Sequence, residues 1–177
     1  MSGPDPGAGG FEEYVAARRP ALLRTAYLLT GSHPDAEDLV QTTLLRVVPR
    51  WARICADPDG YVRTVLVRES VTRWRRRRWR ERSVGEVPEL PATETPSDRE
   101  TLRAALARLS PRQRAVLVLR YYEDLTEIAT AEVLGISVGT VKSHAREGLA
   151  RLRVLAPTLL ADVDPDQPPA AAIPPRR

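Results

Sequence analysis

An all-α fold is what this 177-residue sequence predicts, as two small helical domains joined by a Pro-rich flexible linker. Three observations carry that expectation. Apolar residues recur at helical rather than alternating spacing on both sides of a central break. The break itself, SVGEVPELPATETPS at 83–97, holds Pro88, Pro91 and Pro96 with no apolar period. Helix-start chemistry recurs where each new apolar period begins.

In order along the chain, residues 1–10 are Gly- and Pro-rich and read as a disordered arm. From Phe11 the pattern turns helical through Tyr14, Val15, Leu22, Leu23, Ala26, Tyr27 and Leu29, with Pro20 predicting a kink or short break. Gly31 ends this helix, and Pro34 suits the first turn of a second that carries Leu39, Val40, Leu44, Val47, Val48 and Trp51. Asp57-Pro58 opens a third, expected from about Pro58 to Arg80 with Tyr61, Val65, Leu66 and Val71 apolar. The first domain is therefore placed at 11–82. The fifteen linker residues reach roughly 50 Å when extended. Ser97-Asp98-Arg99-Glu100 and Ser110-Pro111-Arg112-Gln113 are capping boxes that restart helices in a second domain at 98–156. Residues 157–177 dissolve into Asp, Pro and Ala and read as disorder.

Composition narrows the function. The formal charge is +4, but nine Arg and two Glu lie between Arg63 and Arg82. Such a local cationic density suits a polyanion, because phosphate neutralisation releases counterions. Of the 27 basic residues all but Lys142 are Arg, a bias read mainly as a GC-rich genome. Cys55 is the only cysteine, which rules out an internal disulfide framework and points to a reducing compartment. The reading for Cys55 is a buried small hydrophobe. No signal-peptide pattern and no apolar run near ~20 residues is visible, so a cytoplasmic protein without a membrane partner is expected.

The segment 126–153 is the most informative. Thr126 to Leu134 suits a short helix, Gly135-Ile136-Ser137 a tight turn, and Ser137 a cap for a second helix. On that helix Val141, Ala145, Leu149 and Leu152 share one face. Thr140, Ser143, His144, Arg146 and Glu147 share the other, with Lys142 beside them. Helix, Gly turn, helix is the helix-turn-helix pattern, whose second helix enters the major groove. The bland alternative is two core helices with a solvated polar face. The small donors and cations on that face, in a chain with a second basic cluster, favour DNA.

The second cluster is Arg73, Trp74, Arg75, Arg76, Arg77, Arg78 and Trp79. Trp74 and Trp79 lie about 140° apart on a helix, so they cannot share one core seam. Aromatics among Arg suit exposed bases, where stacking contributes ~1–3 kcal/mol per base. One Trp is expected in the core, with the other facing nucleic acid.

Together these residues resemble the extracytoplasmic-function (ECF) sigma factors of bacterial RNA polymerase, in an actinobacterial-looking subfamily. The resemblance spans about residues 11–156. It rests on LLRTAYLLTGS at 22–32, DAEDLVQTTL at 35–44, DPDGYVRTVLVRE at 57–69, WRRRRWRER at 74–82, LSPRQRAVLVLRYYEDLT at 109–126 and AEVLGISVGTVKSHAREGLARLR at 131–153. It implies a sigma factor that brings core polymerase to promoters and assists melting. The helix from Asp35 to Val48 would pack on the clamp helices of the largest subunit through Asp38, Gln41, Leu44 and Leu45. Thr42 stands where the family usually has Glu. The third helix, from Arg68 through the Arg-Trp run, would engage the minus-ten element and the melted strand, with Arg68 in place of a frequent Asn. The helix after Ser137 would read the minus-thirty-five element. The linker would thread between the two domains through the polymerase. An anti-sigma factor is a candidate partner, because family members are often held inactive by one.

Two rivals remain. A helix-turn-helix regulator acting as a dimer outside the polymerase would explain 110–153, but not DAEDLVQ or the Arg-Trp helix. A nucleic-acid enzyme would need a nucleophile with a base, or a metal cluster. His33, His144 and Cys55 are scattered, and Asp35, Glu37 and Asp38 suit a helix dipole. No catalysis, cofactor, metal or small-molecule substrate is expected.

Overall fold

The computed structural model describes residues 6–81 and 98–159, and every regular element there is helical. The linker at 83–97, Ser97 of the first predicted capping box and the tail beyond residue 159 lie outside the described residues. By packing, the chain divides into two compact units between Ser70 and Val71, inside a continuous helix.

The first unit begins with α1, Pro6–Thr30. Two expectations change here. The arm read over residues 1–10 gives way to helix from Pro6, and α1 passes Pro20 without a break. A mid-helix proline costs ~3 kcal/mol through its lost hydrogen bond and ring clash. Packing on both sides outweighs it. Before Pro20, Phe11 and Tyr14 pack on Trp51; after it, Leu22, Leu23, Ala26 and Tyr27 join the main core.

Helix α2, His33–Val47, starts at Ser32, whose side chain accepts from the Asp35 N–H at 3.5 Å, with Pro34 in the first turn. Ala36, Leu39, Val40, Thr43 and Val47 form its buried stripe. Thr43 is fully enclosed and satisfies its hydroxyl on the Leu39 carbonyl at 2.8 Å. A 3-10 turn, Val48–Arg50, leads into the short α3, Trp51–Ile54. Trp51 is the aromatic anchor, with Phe11 edge-on and Tyr14 tilted, each ring centre 5.1 Å away.

Cys55 follows α3 and is exposed, against the buried position expected for it. The inward positions of this short turn are already taken by Trp51 and Ile54.

Helix α4, Pro58–Glu81, packs Val62 and Leu66 into the cores shared with the preceding helices, and Val67 is buried as well. Its start is held by Asp59, which accepts from the Tyr14 hydroxyl at 3.0 Å and pairs with Arg18. Burial, then the hydrogen bond and the negative charge of Asp59, push the Tyr14 hydroxyl well above the usual phenol range. Further along, Glu69 is nearly enclosed and pairs with Arg46 of α2 at 2.6 Å. Past Ser70 the described side chains, Val71 to Trp74, are only half-buried.

The second unit contains α5 (Asp98–Ala107), α6 (Pro111–Leu117), one wide π-type turn (Val118–Tyr122), α7 (Glu127–Leu134) and α8 (Val138–Leu155). The expected capping box at α6 is complete. The Gln113 N–H donates to the Ser110 hydroxyl at 3.2 Å, and the Ser110 N–H donates to the Gln113 side chain at 3.3 Å. Its core gathers Val116, Ala131 and Val141, with Leu134, Ile136, Val138 and Ala145 around them.

Two arginines are buried here. Arg114 donates to the Ala107 and Leu109 carbonyls, 2.8 and 3.4 Å away, and ties the end of α5 to α6. Burial pushes its guanidinium down to about 10, so it remains a cation at neutral pH. Arg120 donates to the Leu125 carbonyl and closes the turn before α7, where Asp124 takes a left-handed φ of 58°. The chain leaves α8 through a 3-10 turn at Pro157–Leu159, the first residues of the segment read as a tail.

Candidate functional site

The helix-turn-helix is set by local chemistry. Thr126 caps α7 by accepting from the Ala129 N–H at 3.1 Å. Gly135 ends the helix at φ 64°, ψ 41°, a left-handed conformation that costs a glycine nothing. Its N–H returns to the Ala131 and Glu132 carbonyls, and the Ile136 N–H reaches Ala131 at 3.1 Å. Ser137 then accepts from the Thr140 N–H at 3.1 Å and starts α8.

Helix α8 buries Val141, Leu149 and Leu152, as its apolar period requires, with Ala145 packed beside them. Gly148 is buried as well, where α6 approaches so closely that an added Cβ would stand 3.0 Å from Leu117 Cδ1. The opposite face is open. Lys142, Arg146 and Glu147 are exposed, while Thr140, Ser143 and His144 are half-buried. The Thr140 hydroxyl lies 2.8 Å from that of Ser137 and so shares the cap. His144 has its Nδ1 buried with no hydrogen-bond partner, so that edge of the ring lies against the protein.

Both flanks of the open face are braced from neighbouring helices. On the α7 side Glu127 pairs with Lys142 at 3.6 Å. On the α6 side Gln113 Nε2 donates to Glu147 Oε2 at 2.9 Å. The sequence sets Glu147 on this face and Lys142 beside it, and neither brace was expected from it. The capping box already singled out Gln113; the second use of its amide has no signature in the sequence.

In the first unit, α2 and the residue that follows it expose a row at spacings of three, four and three: Asp38, Gln41 and Leu45 of α2, then Val48 at the start of the 3-10 turn. At about 100° per residue these fall within a quarter-turn of the helix. Leu45 is 67% and Val48 48% exposed, so two large apolar side chains stand on one exposed row. Leu44 does not belong to this row, because it packs inward against the core. Val48 was not among the site residues expected from sequence.

On α4, Arg68 is exposed and Arg73 and Trp74 are half-buried. Arg75, Arg76, Arg77, Arg78 and Trp79 continue the same helix, with side chains outside the described set. Among the described residues no group of three or more His, Cys, Asp or Glu could hold a metal. None of the described helices is long and apolar enough to cross a membrane.

These features define a helical DNA-binding protein of the helix-turn-helix class with a further helical unit before it. Comparison with known proteins narrows the class. Residues 14–80 match the family model for sigma-70 region 2, and residues 99–152 match that for sigma-70 region 4. The chain is 44% identical over 148 residues to the RNA polymerase sigma-E factor of Streptomyces coelicolor, covering 81% of this chain and 84% of that one. It is 33% identical over 154 residues to the ECF RNA polymerase sigma factor SigL of Mycobacterium tuberculosis, covering 81% and 85%. Among solved structures, the sigma factor RpoE in complex with the anti-sigma factor NepR from Bartonella quintana superposes with a TM-score of 0.64 at 26% identity. That match covers 84% of this chain and 97% of RpoE. The chain belongs to the sigma-70 family as an actinobacterial-type ECF sigma factor, a transcription initiation factor that directs RNA polymerase.

Proposed function

We propose that three separate surfaces divide the work of initiation. The exposed row on α2 docks on core polymerase, at the clamp helices of its largest subunit. The Arg-rich end of α4 engages the minus-ten element and its unpaired strand. The open face of α8 reads the minus-thirty-five element in the major groove. In this reading the protein acts in the cytoplasm, without catalysis of its own and without cofactor. A partner like the one that RpoE holds in its complex would regulate it by covering these surfaces.

The observation that carries the reading is the α2 row. Leu45 and Val48 stand in solvent although apolar side chains are available to bury, and Asp38 and Gln41 flank them with polar groups. Docking on a protein helix would remove Leu45 from water, a gain of roughly 1.5–3 kcal/mol. A solvated face would need neither apolar residue.

The test combines Asp38→Lys with Leu45→Asp in the full chain. Circular dichroism should show the native helix content, since both positions are exposed. Capture of core polymerase should fall at least tenfold, and run-off transcription with it. Undiminished capture by the folded variant would remove α2 from the interface. Capture that was absent in the parent protein too would favour a regulator acting outside the polymerase.

A further inference from the structure

We propose that Gln113 of α6 is a positioning residue that fixes Glu147 as a hydrogen-bond acceptor toward the DNA bases, selecting cytosine or adenine at one position of the upstream element. The inference deepens the major-groove reading of α8 and rests on it.

The geometry assigns each atom of the Gln113 amide. A backbone N–H can only donate, so the group facing Ser110 N must be the carbonyl oxygen, Oε1. The amino group then points the other way, and it meets Glu147 Oε2 at 2.9 Å. Gln113 itself is only 7% exposed, so this arrangement is held by its surroundings. The adjoining Gly148 explains the close approach, since its Cα faces Leu117 and the Gln113 Cβ.

Glu147 is exposed on the open side of α8. An ionised carboxylate has about four lone-pair sites on two oxygens, so one bond to Gln113 leaves acceptor capacity facing outward. A carboxylate near DNA is repelled by phosphates, and acceptance from an exocyclic amino group is its favourable contact. In the major groove those groups are N4 of cytosine and N6 of adenine. Guanine O6 and thymine O4 would confront Glu147 with another acceptor.

The assignment makes a sign-changing prediction. In Glu147→Gln, the Gln113 amino group still needs an acceptor, so the substituted amide turns its oxygen inward and its NH2 toward the groove. Acceptor has become donor, so preference should leave cytosine, which offers only its N4 donor in the major groove, and move toward guanine or thymine, whose O6 and O4 accept. In Gln113→Glu with Glu147→Gln, the new carboxylate accepts from both Ser110 N–H and the substituted amide. The amide oxygen then faces outward again and the original preference returns. Gln113→Glu alone keeps the cap but sets two carboxylates together, which frees Glu147 and weakens its selection.

The experiment uses the full chain with core RNA polymerase and a promoter library randomised across the upstream element, reading base enrichment among transcribed templates. Parent, E147Q, Q113E, the double variant and R146A are compared after equal thermal stability is checked. The expected result is a preference of roughly five- to tenfold for cytosine or adenine at one position, which is reversed in E147Q, reduced in Q113E and restored in the double variant. A parent-like profile for E147Q while R146A alters its own position would overturn the Glu147 assignment but leave α8 as the reader. Profiles unchanged in both would overturn the α8 reading itself. A reversal in E147Q that the double variant fails to restore would remove the role of Gln113.

Discussion

Gly148 fixes how closely α6 and α8 approach, and substitution there has an effect whose sign depends on one neighbour. In Gly148→Ala the new methyl would stand 3.0 Å from Leu117 Cδ1, 3.3 Å from Leu117 Cγ and 3.6 Å from Gln113 Cβ. Carbon atoms prefer about 3.5–4.0 Å, so two of these contacts are compressed. Leu117 is buried and cannot swing into solvent. Overpacking of this kind costs about 1–3 kcal/mol. Against it, Ala is favoured over Gly in a helix interior by ~1 kcal/mol. The expected net change is a destabilisation of about 1 kcal/mol. In a Leu117→Ala background the compressing atoms are gone, so the same substitution should stabilise by ~1 kcal/mol, although Leu117→Ala itself costs about 2–5 kcal/mol. The coupling between the two sites is then about 2 kcal/mol. Native-state hydrogen exchange of α6 and α8 amides measures it within this unit, apart from the stability of the other. A Gly148→Ala variant as stable as its parent, or a coupling below ~0.5 kcal/mol, would refute the close-approach argument.

Two further outcomes follow from buried groups. Trp51→Ala should destabilise the first unit by about 3–5 kcal/mol, since Phe11 and Tyr14 lose the ring on which both pack, and exchange of α1 amides should show it. Arg114→Met should cost ~1.5–3 kcal/mol at neutral pH, because the Ala107 and Leu109 carbonyls lose a charged donor. The pH dependence has a definite sign. Burial lowers the folded guanidinium to about 10, below the ordinary arginine value that holds in the unfolded chain, so across that window the unfolded chain binds more protons. Stability from this group therefore rises with pH between the two values, and urea titrations of Arg114→Met should lack that rise.

Several local features were legible because their causes lie within a few residues. Ser110 with Gln113, Gly135 and Ser137 each act on backbone groups three or four positions away, so spacing alone predicts caps and turn. The buried stripe Val141, Leu149, Leu152 follows from the 3.6-residue period in the same way. The family strings then carried the identity, since sigma-70 regions 2 and 4 match where the motifs stand.

Tertiary packing decided the rest. Pro20 obeys a local rule that predicts a break, yet packing on both sides holds one continuous helix. Cys55 has the composition of a buried residue but sits where Trp51 and Ile54 already fill the inside. Leu44 and Leu45 are neighbours with the same side chain, and only the fold determines that one packs inward while the other stands exposed. The pairs Tyr14–Asp59, Arg46–Glu69 and Gln113–Glu147 join residues 45, 23 and 34 positions apart. A polar side chain at such a distance leaves no period to read. Its partner is set by the packing that places two helices side by side, and that placement depends on the whole core.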